Sequence, residues 1–155
     1  MKQSLKKDIQ FMKLCFEASK IFSTCGKKQY AALLVDDMNH IVGFGYNGGP
    51  RNTTHCKDGG CKRFFEKSQS GSVYDNCIAI HAEANALLHS DYNSKPTKLY
   101  VNGPPCFNCA KLICNSTLKT VYYLEDFDYK NWEEVKSFIN NSDIETVKVD
   151  INAGI

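Results

Sequence analysis

At 155 residues, with 43% hydrophobic and 23% charged side chains, the chain has the size and make-up of one soluble globular domain that buries a core without staples. A formal net charge of +2, with no basic run beyond the Lys6-Lys7 and Lys27-Lys28 pairs, argues against a polynucleotide-coating surface. Residues 1–7 lack the apolar run of a signal peptide and no later stretch approaches a membrane span, so a cytoplasmic protein is expected, with no membrane partner.

Residues 5–24 read as an amphipathic helix with Leu5, Ile9, Met12 and Phe16 on one stripe, Ser4 as N-cap and Gly26 as stop. Two apolar runs, residues 30–35 and 41–46, flank Asp36-Asp37-Met38-Asn39-His40, which is a hairpin signal. From residue 47 to about 76 periodicity disappears; a loop this long inside a compact domain is usually functional. Helix resumes over residues 78–90, with Ile80, Ala84, Leu87 and Leu88 as the expected buried face. Residues 98–102 form a short strand. Residues 106–114 form a helix introduced by Pro104-Pro105. A buried strand follows over residues 119–124, then a helix opened by Asn131 with Glu134 three residues on. Residues 144–151 alternate as an edge strand. A hairpin followed by strand–helix alternation predicts a mixed sheet with helices on both faces, an α/β/α sandwich in one domain, residues 1–155.

Eight cysteines need explaining. In a reducing compartment a disulfide framework is the weaker reading and metal binding the stronger. Two of the eight lie in Pro105-Cys106-Phe107-Asn108-Cys109, and upstream stands His81-Ala82-Glu83. Zinc takes nitrogen and thiolate ligands in a tetrahedron, and a catalytic site uses three protein ligands and keeps one position for water. His81, Cys106 and Cys109 supply three; Glu83 is left to move protons. Cys106 and Cys109, three apart, share a helix face, and a helix N-terminus favours thiolate over thiol. His81 and Glu83 can converge only near a helix start, where side chains lean back. The spacing therefore predicts two helix N-termini facing one zinc. Zinc brings the pKa of bound water to about 7, and Glu83 would take that proton and return protons to a ring nitrogen and to leaving ammonia. A purely structural zinc normally closes with a fourth ligand. The pattern as a whole is the signature of zinc-dependent nucleobase deaminases, whose glutamate is not a ligand.

With these residues in place, the chain resembles the cytidine and deoxycytidylate deaminase superfamily, and within it the deoxycytidylate (dCMP) deaminases. Four stretches carry the resemblance: Gly45-Tyr46-Asn47-Gly48-Gly49-Pro50-Arg51; His55-Cys56-x-Asp58-x-Gly60-Cys61-x-Arg63; His81-Ala82-Glu83-Ala84-Asn85-Ala86; and Pro105-Cys106-x-x-Cys109-Ala110-Lys111. The first two discriminate, since base, nucleoside and transfer-RNA deaminases usually share only the zinc motif. The resemblance implies a five-stranded sheet sandwiched by helices, hydrolysis of dCMP to dUMP and ammonia, a homohexamer, and Asn47 on the nucleotide. In many members dCTP with Mg²⁺ activates and dTTP inhibits. Phe127 stands where many relatives have a tyrosine beside the base.

Single residues also have plainer readings. Asn47 would serve equally as a turn residue in left-handed conformation, and Asn85 reads as a structural bond to loop backbone. Arg51 and Arg63 suit a 5′-phosphate or a solvated loop. Cys25, His55 or Cys56, Cys61 and Cys77 could meet as a second, structural zinc site that pins the long loop; the alternative is reduced, buried thiols. Cys15, Cys114 and Trp132 read as core. Besides a dCMP deaminase, the competing functions are a deaminase of another base, nucleotide or strand, and a zinc-stabilised protein without catalysis. An intact Glu83 argues against the last.

Overall fold

The computed structural model describes residues 3–65, 77–124 and 131–153. The first element is helix α1 (Gln3–Phe22), followed by strands β1 (Ala31–Val35) and β2 (Ile41–Tyr46). A single 3₁₀ turn over Cys56–Asp58 and the short helix α2 (Lys62–Phe65) punctuate the long segment. Then come α3 (Ala82–Leu88), β3 (Lys98–Val101), α4 (Phe107–Cys114), β4 (Thr120–Leu124), α5 (Trp132–Asn140) and β5 (Glu145–Val149).

The strands form one five-stranded sheet in the order β2-β1-β3-β4-β5. β1 pairs antiparallel with both β2 and β3, whereas β3–β4 and β4–β5 are parallel, so the sheet is mixed as expected. The apolar run Ala-Ala-Leu-Leu-Val makes β1 an interior strand buried along its whole length. β5 takes an edge, where its alternating pattern belongs.

The sheet divides the core in two. On one face Ile9, Met12, Cys15 and Ala18 of α1 pack with Leu33, Tyr100 and Leu124. On the other, α3, α4 and α5 contribute Ala82, Ala86, Ala110, Ile113, Val135 and Ile139. This is the three-layer α/β/α arrangement.

Several details differ from the sequence reading. Ser4 lies inside α1 rather than capping it, and the helix ends at Phe22, short of Gly26. Leu5 is exposed, so only the middle of the predicted stripe is buried. Asn131 sits at the N-cap of α5 but makes no side-chain capping bond. The larger correction concerns α3, which starts at residue 82, and whose buried residues are Ala82, Glu83 and Ala86. Leu88, expected inside, is 71% exposed. Ile80, Ala84, Leu87 and Leu88 instead line an outward groove of about 560 Å³ with Leu112 and Pro96. A two-turn helix carries two apolar stripes, and the narrow alanine stripe wins because it fits closely against β2. No helix among the described residues is long and apolar enough to cross a membrane.

Candidate active site

The site is built from two helix starts. After β3, Pro104 and Pro105 prevent the strand from continuing, and Cys106 takes the extended N-cap position of α4 (φ −78°, ψ 169°). Cys109 follows in the first turn and is buried. The other start is held by the chain just after β2. Ile80 exchanges backbone hydrogen bonds with Gly48, Ile80 N to Gly48 O at 2.8 Å and Gly48 N to Ile80 O at 3.2 Å. His81 is then the extended N-cap of α3 (φ −71°, ψ 151°), and Glu83 sits in its first turn. Asn85 Nδ2 donates to Tyr46 O at 2.8 Å, a backbone bond as expected, although to the end of β2 rather than to a loop. The predicted pair of facing helix starts is what the fold contains.

His81 Nδ1 lies 3.3 Å from Cys106 Sγ and 3.4 Å from Cys109 Sγ. Among the described residues, these three form one group whose ligand atoms all lie within 4.8 Å of one another. A tetrahedral zinc with ordinary Zn–N and Zn–S bonds sets nitrogen and sulfur about 3.6 Å apart. The residues therefore fit zinc in both donor type and spacing. Glu83 stands outside the group of three. The residue is 6% exposed, and its carboxyl hydrogen-bonds Cys109.

The protons of the cluster are shared. Hydrogen bonding from the Cys109 thiol holds Cys106 down at about 4, with His81 adding to the effect. The same bond keeps the proton on Cys109 well above the usual thiol range, helped by burial. Hydrogen bonding to Cys106 raises His81 to about 9. Burial pushes the Glu83 carboxyl up, against the pull of its own backbone N–H and of His81. A cation here would meet one nitrogen and two sulfurs, with the buried Glu83 carboxyl beside them.

Asn47 is also buried, but its amide is already engaged. Oδ1 accepts from Ser23 Oγ at 2.5 Å and from Tyr30 N at 2.9 Å, and Nδ2 donates to Lys28 O at 2.8 Å. Its backbone is not left-handed, unlike that of Asn39 and Asn52 (both φ 65°). The plain turn reading of Asn47 is therefore corrected: the residue pins the chain between α1 and β1. Ser23 was missed, because nothing in the sequence links it to an asparagine 24 positions away.

Arg51 is exposed and Arg63 half-buried. Phe127 lies outside the described residues. Of the candidates for a second metal, Cys56 and Cys61 are buried. Burial first, then the neighbouring Cys61, Cys25 and Cys77, push the Cys56 thiol up to about 11, and Cys61 also hydrogen-bonds it. Among the described residues, however, no three of these four cysteines bring their sulfurs within 4.8 Å of one another as the first cluster does. His55 is exposed and 3.8 Å from Asp58.

Comparison with known proteins agrees with this geometry. Residues 5–125 match the family described as the cytidine and deoxycytidylate deaminase zinc-binding region. The chain is 36% identical over 118 residues to the deoxycytidylate deaminase of Schizosaccharomyces pombe, covering 75% of this chain and 36% of that protein. It is 32% identical over 150 residues to the deoxycytidylate deaminase of Saccharomyces cerevisiae, covering 96% of this chain and 43% of that protein. It thus spans less than half the length of either yeast relative. The crystal structure of dCMP deaminase from the cyanophage S-TIM5, in complex with dCMP and dUMP, superposes with a TM-score of 0.69 at 25% identity, covering 96% of this chain and 98% of that one. With its zinc-fitting cluster, its buried glutamate and a family match over most of its length, the chain belongs to the cytidine and deoxycytidylate deaminase family.

Proposed function

We propose that the protein is a zinc-dependent hydrolase that converts dCMP to dUMP and ammonia, in deoxypyrimidine nucleotide metabolism that feeds dTTP supply. The observation that carries this reading is His81 Nδ1 at 3.3 and 3.4 Å from two cysteine sulfurs, with the buried Glu83 beside them. His81, Cys106 and Cys109 would hold the ion. Zinc, when bound, lowers the pKa of water to about 7 and so supplies a nucleophile at neutral pH. Glu83 does the proton work: its carboxylate accepts a proton from water, and its carboxylic acid returns protons to the ring nitrogen and to departing ammonia. A raised carboxyl pKa suits that task, because the group must hold a proton between two steps. The dCMP-specific resemblance at Gly45–Pro50 and the names of the relatives support the substrate, and by the same resemblance Asn47 is kept as a contact to the nucleotide's sugar or phosphate.

The reading extends to a second, structural zinc at Cys25, His55 or Cys56, Cys61 and Cys77, supported by the hydrogen bond between Cys56 and Cys61 and by the influence of Cys25 and Cys77 on the Cys56 thiol. It takes the 155 residues as one domain. A homohexamer, activation by dCTP with Mg²⁺, and a cytoplasmic location rest on the resemblance and on the reading of composition.

Zinc per chain and ammonia release from dCMP, cytidine and single-stranded DNA, measured on wild type and Glu83→Ala, test the reading together. Zinc retained in both, with release from dCMP falling by roughly 10²–10⁴-fold in the variant, is expected. A variant that keeps its activity sinks the role of Glu83. Release from another base only would move the substrate, and one zinc per chain would remove the second site.

A further inference from the structure

Strand β2 approaches α3 more closely than side chains normally permit. A Cβ placed on Gly45 would lie 2.3 Å from Ala82 O and 2.3 Å from Ala86 N, with Ala86 Cα at 2.9 Å. These atoms are backbone, and the oxygen and nitrogen belong to one helical turn. Glu83 lies within that turn, one residue after Ala82, and His81 caps it. No rotamer change relieves such a contact. Nor can Gly45 retreat freely, since it is paired with Ala32 in the sheet. Gly43, two residues earlier on the same face of β2, meets the far half of the helix more loosely. Its Cβ would stand 2.8 Å from Leu34 Cδ1, the tip of a side chain, 3.0 Å from Ser90 Cβ and 3.1 Å from Ala86 O. Next to Gly45, Tyr46 O accepts the 2.8 Å bond from Asn85 Nδ2.

We infer that Gly45 and Asn85 are positioning residues for the proton-transfer carboxyl. Gly45 sets how deep the first turn of α3 sits against the sheet, and the Asn85–Tyr46 bond sets its height along the strand. Together they fix His81 and Glu83 relative to Cys106 and Cys109, which come from a different helix. The inference rests on the proposed role of Glu83, so its test includes a readout that does not need turnover.

The test compares Gly45→Ala, Asn85→Ala and the control Gly43→Ala with wild type in three measurements. They are Tm, the visible absorption of the protein loaded with Co²⁺ in place of zinc, and kcat and KM for dCMP. Co²⁺ bands report ligand geometry whether or not the protein turns over. A shift of the first turn by about 1 Å is enough to reduce rate roughly 10²-fold. The expected result is a changed Co²⁺ spectrum and a kcat loss of that order in Gly45→Ala, a smaller loss of the same kind in Asn85→Ala, and KM within a few-fold. Gly43→Ala should lower Tm while leaving spectrum and kcat as in wild type. Wild-type spectra in both Gly45→Ala and Asn85→Ala overturn the inference, as does an equal change in Gly43→Ala. If Gly45→Ala does not fold, Asn85→Ala decides: a wild-type spectrum overturns it and a changed one supports it. If wild type itself releases no ammonia from dCMP, the substrate reading fails while the spectra still decide the positioning.

Discussion

The buried amides Asn47 and Asn102 hold the backbone that turns from α1 into β1. Asn102 Oδ1 accepts from Ala31 N at 2.7 Å, while Nδ2 donates to Gln29 O at 2.9 Å and to Ser19 Oγ at 3.1 Å. Removing such an amide strands buried partners, which is worse than losing the bonds alone. Asn102→Ala should therefore destabilise the protein by roughly 2–4 kcal/mol, read as a lower urea midpoint at unchanged slope; a loss under half a kilocalorie would show that water replaces the amide. Asn47→Ala should be destabilised comparably. A folded Asn47→Ala whose KM for dCMP equals wild type would remove Asn47 from the substrate site. At this scale the sequence pointed to residues that the fold brings together, but not to all of their partners. The grouping of His81, Cys106 and Cys109 was legible because metal chemistry restricts residue type and spacing. The duties of Asn47 were not, since its partners Ser23, Lys28 and Tyr30 adjoin it only after folding.

Among the elements, the β1–β2 turn shows local chemistry deciding structure. Asp36 Oδ1 accepts from Met38 N at 2.9 Å and His40 N at 2.8 Å, and its other oxygen lies 3.1 Å from His40 Nδ1. Asn39 supplies the left-handed residue (φ 65°). The His40 N–H, chiefly, holds the Asp36 carboxyl below the usual carboxylate range. A folded pKa below the unfolded one means that the stabilisation is complete above the ordinary carboxylate value and is lost as pH falls through the lower folded value. Asp36→Ala should thus lower Tm at pH 7, with the gap from wild type closing below about pH 4. A gap independent of pH would assign the effect to packing. The turn of this hairpin was readable from sequence, because the bonds that Asp36 makes span no more than four residues. The face of α3 was not: both its stripes are apolar, and the glycines opposite it make the choice.

For the molecule as a whole, the metal cluster joins elements that are remote in sequence. His81 and Cys106 are 25 positions apart, one at the start of α3 and the other at the start of α4. An ion bound there stabilises only the folded chain. At free zinc about 100-fold above its Kd this amounts to about 2.7 kcal/mol, so chelation should lower Tm by roughly 5–10 °C, with recovery on adding zinc back. A Tm indifferent to chelator and to zinc would deny the cluster that role.

By itself the sequence determined the elements, the mixed sheet between helices, the grouping of His81, Cys106 and Cys109 with Glu83 nearby, and the family. These follow from periodicities, turn residues and metal chemistry, all short-range or restricted to few residue types. Only the tertiary structure decided that Asn47 is bound by its own chain, that Cys56 and Cys61 are hydrogen-bonded, and that Gly45 lies against the turn bearing Glu83. Those facts depend on distances between segments far apart in the chain, which are set only when the sheet packs its helices.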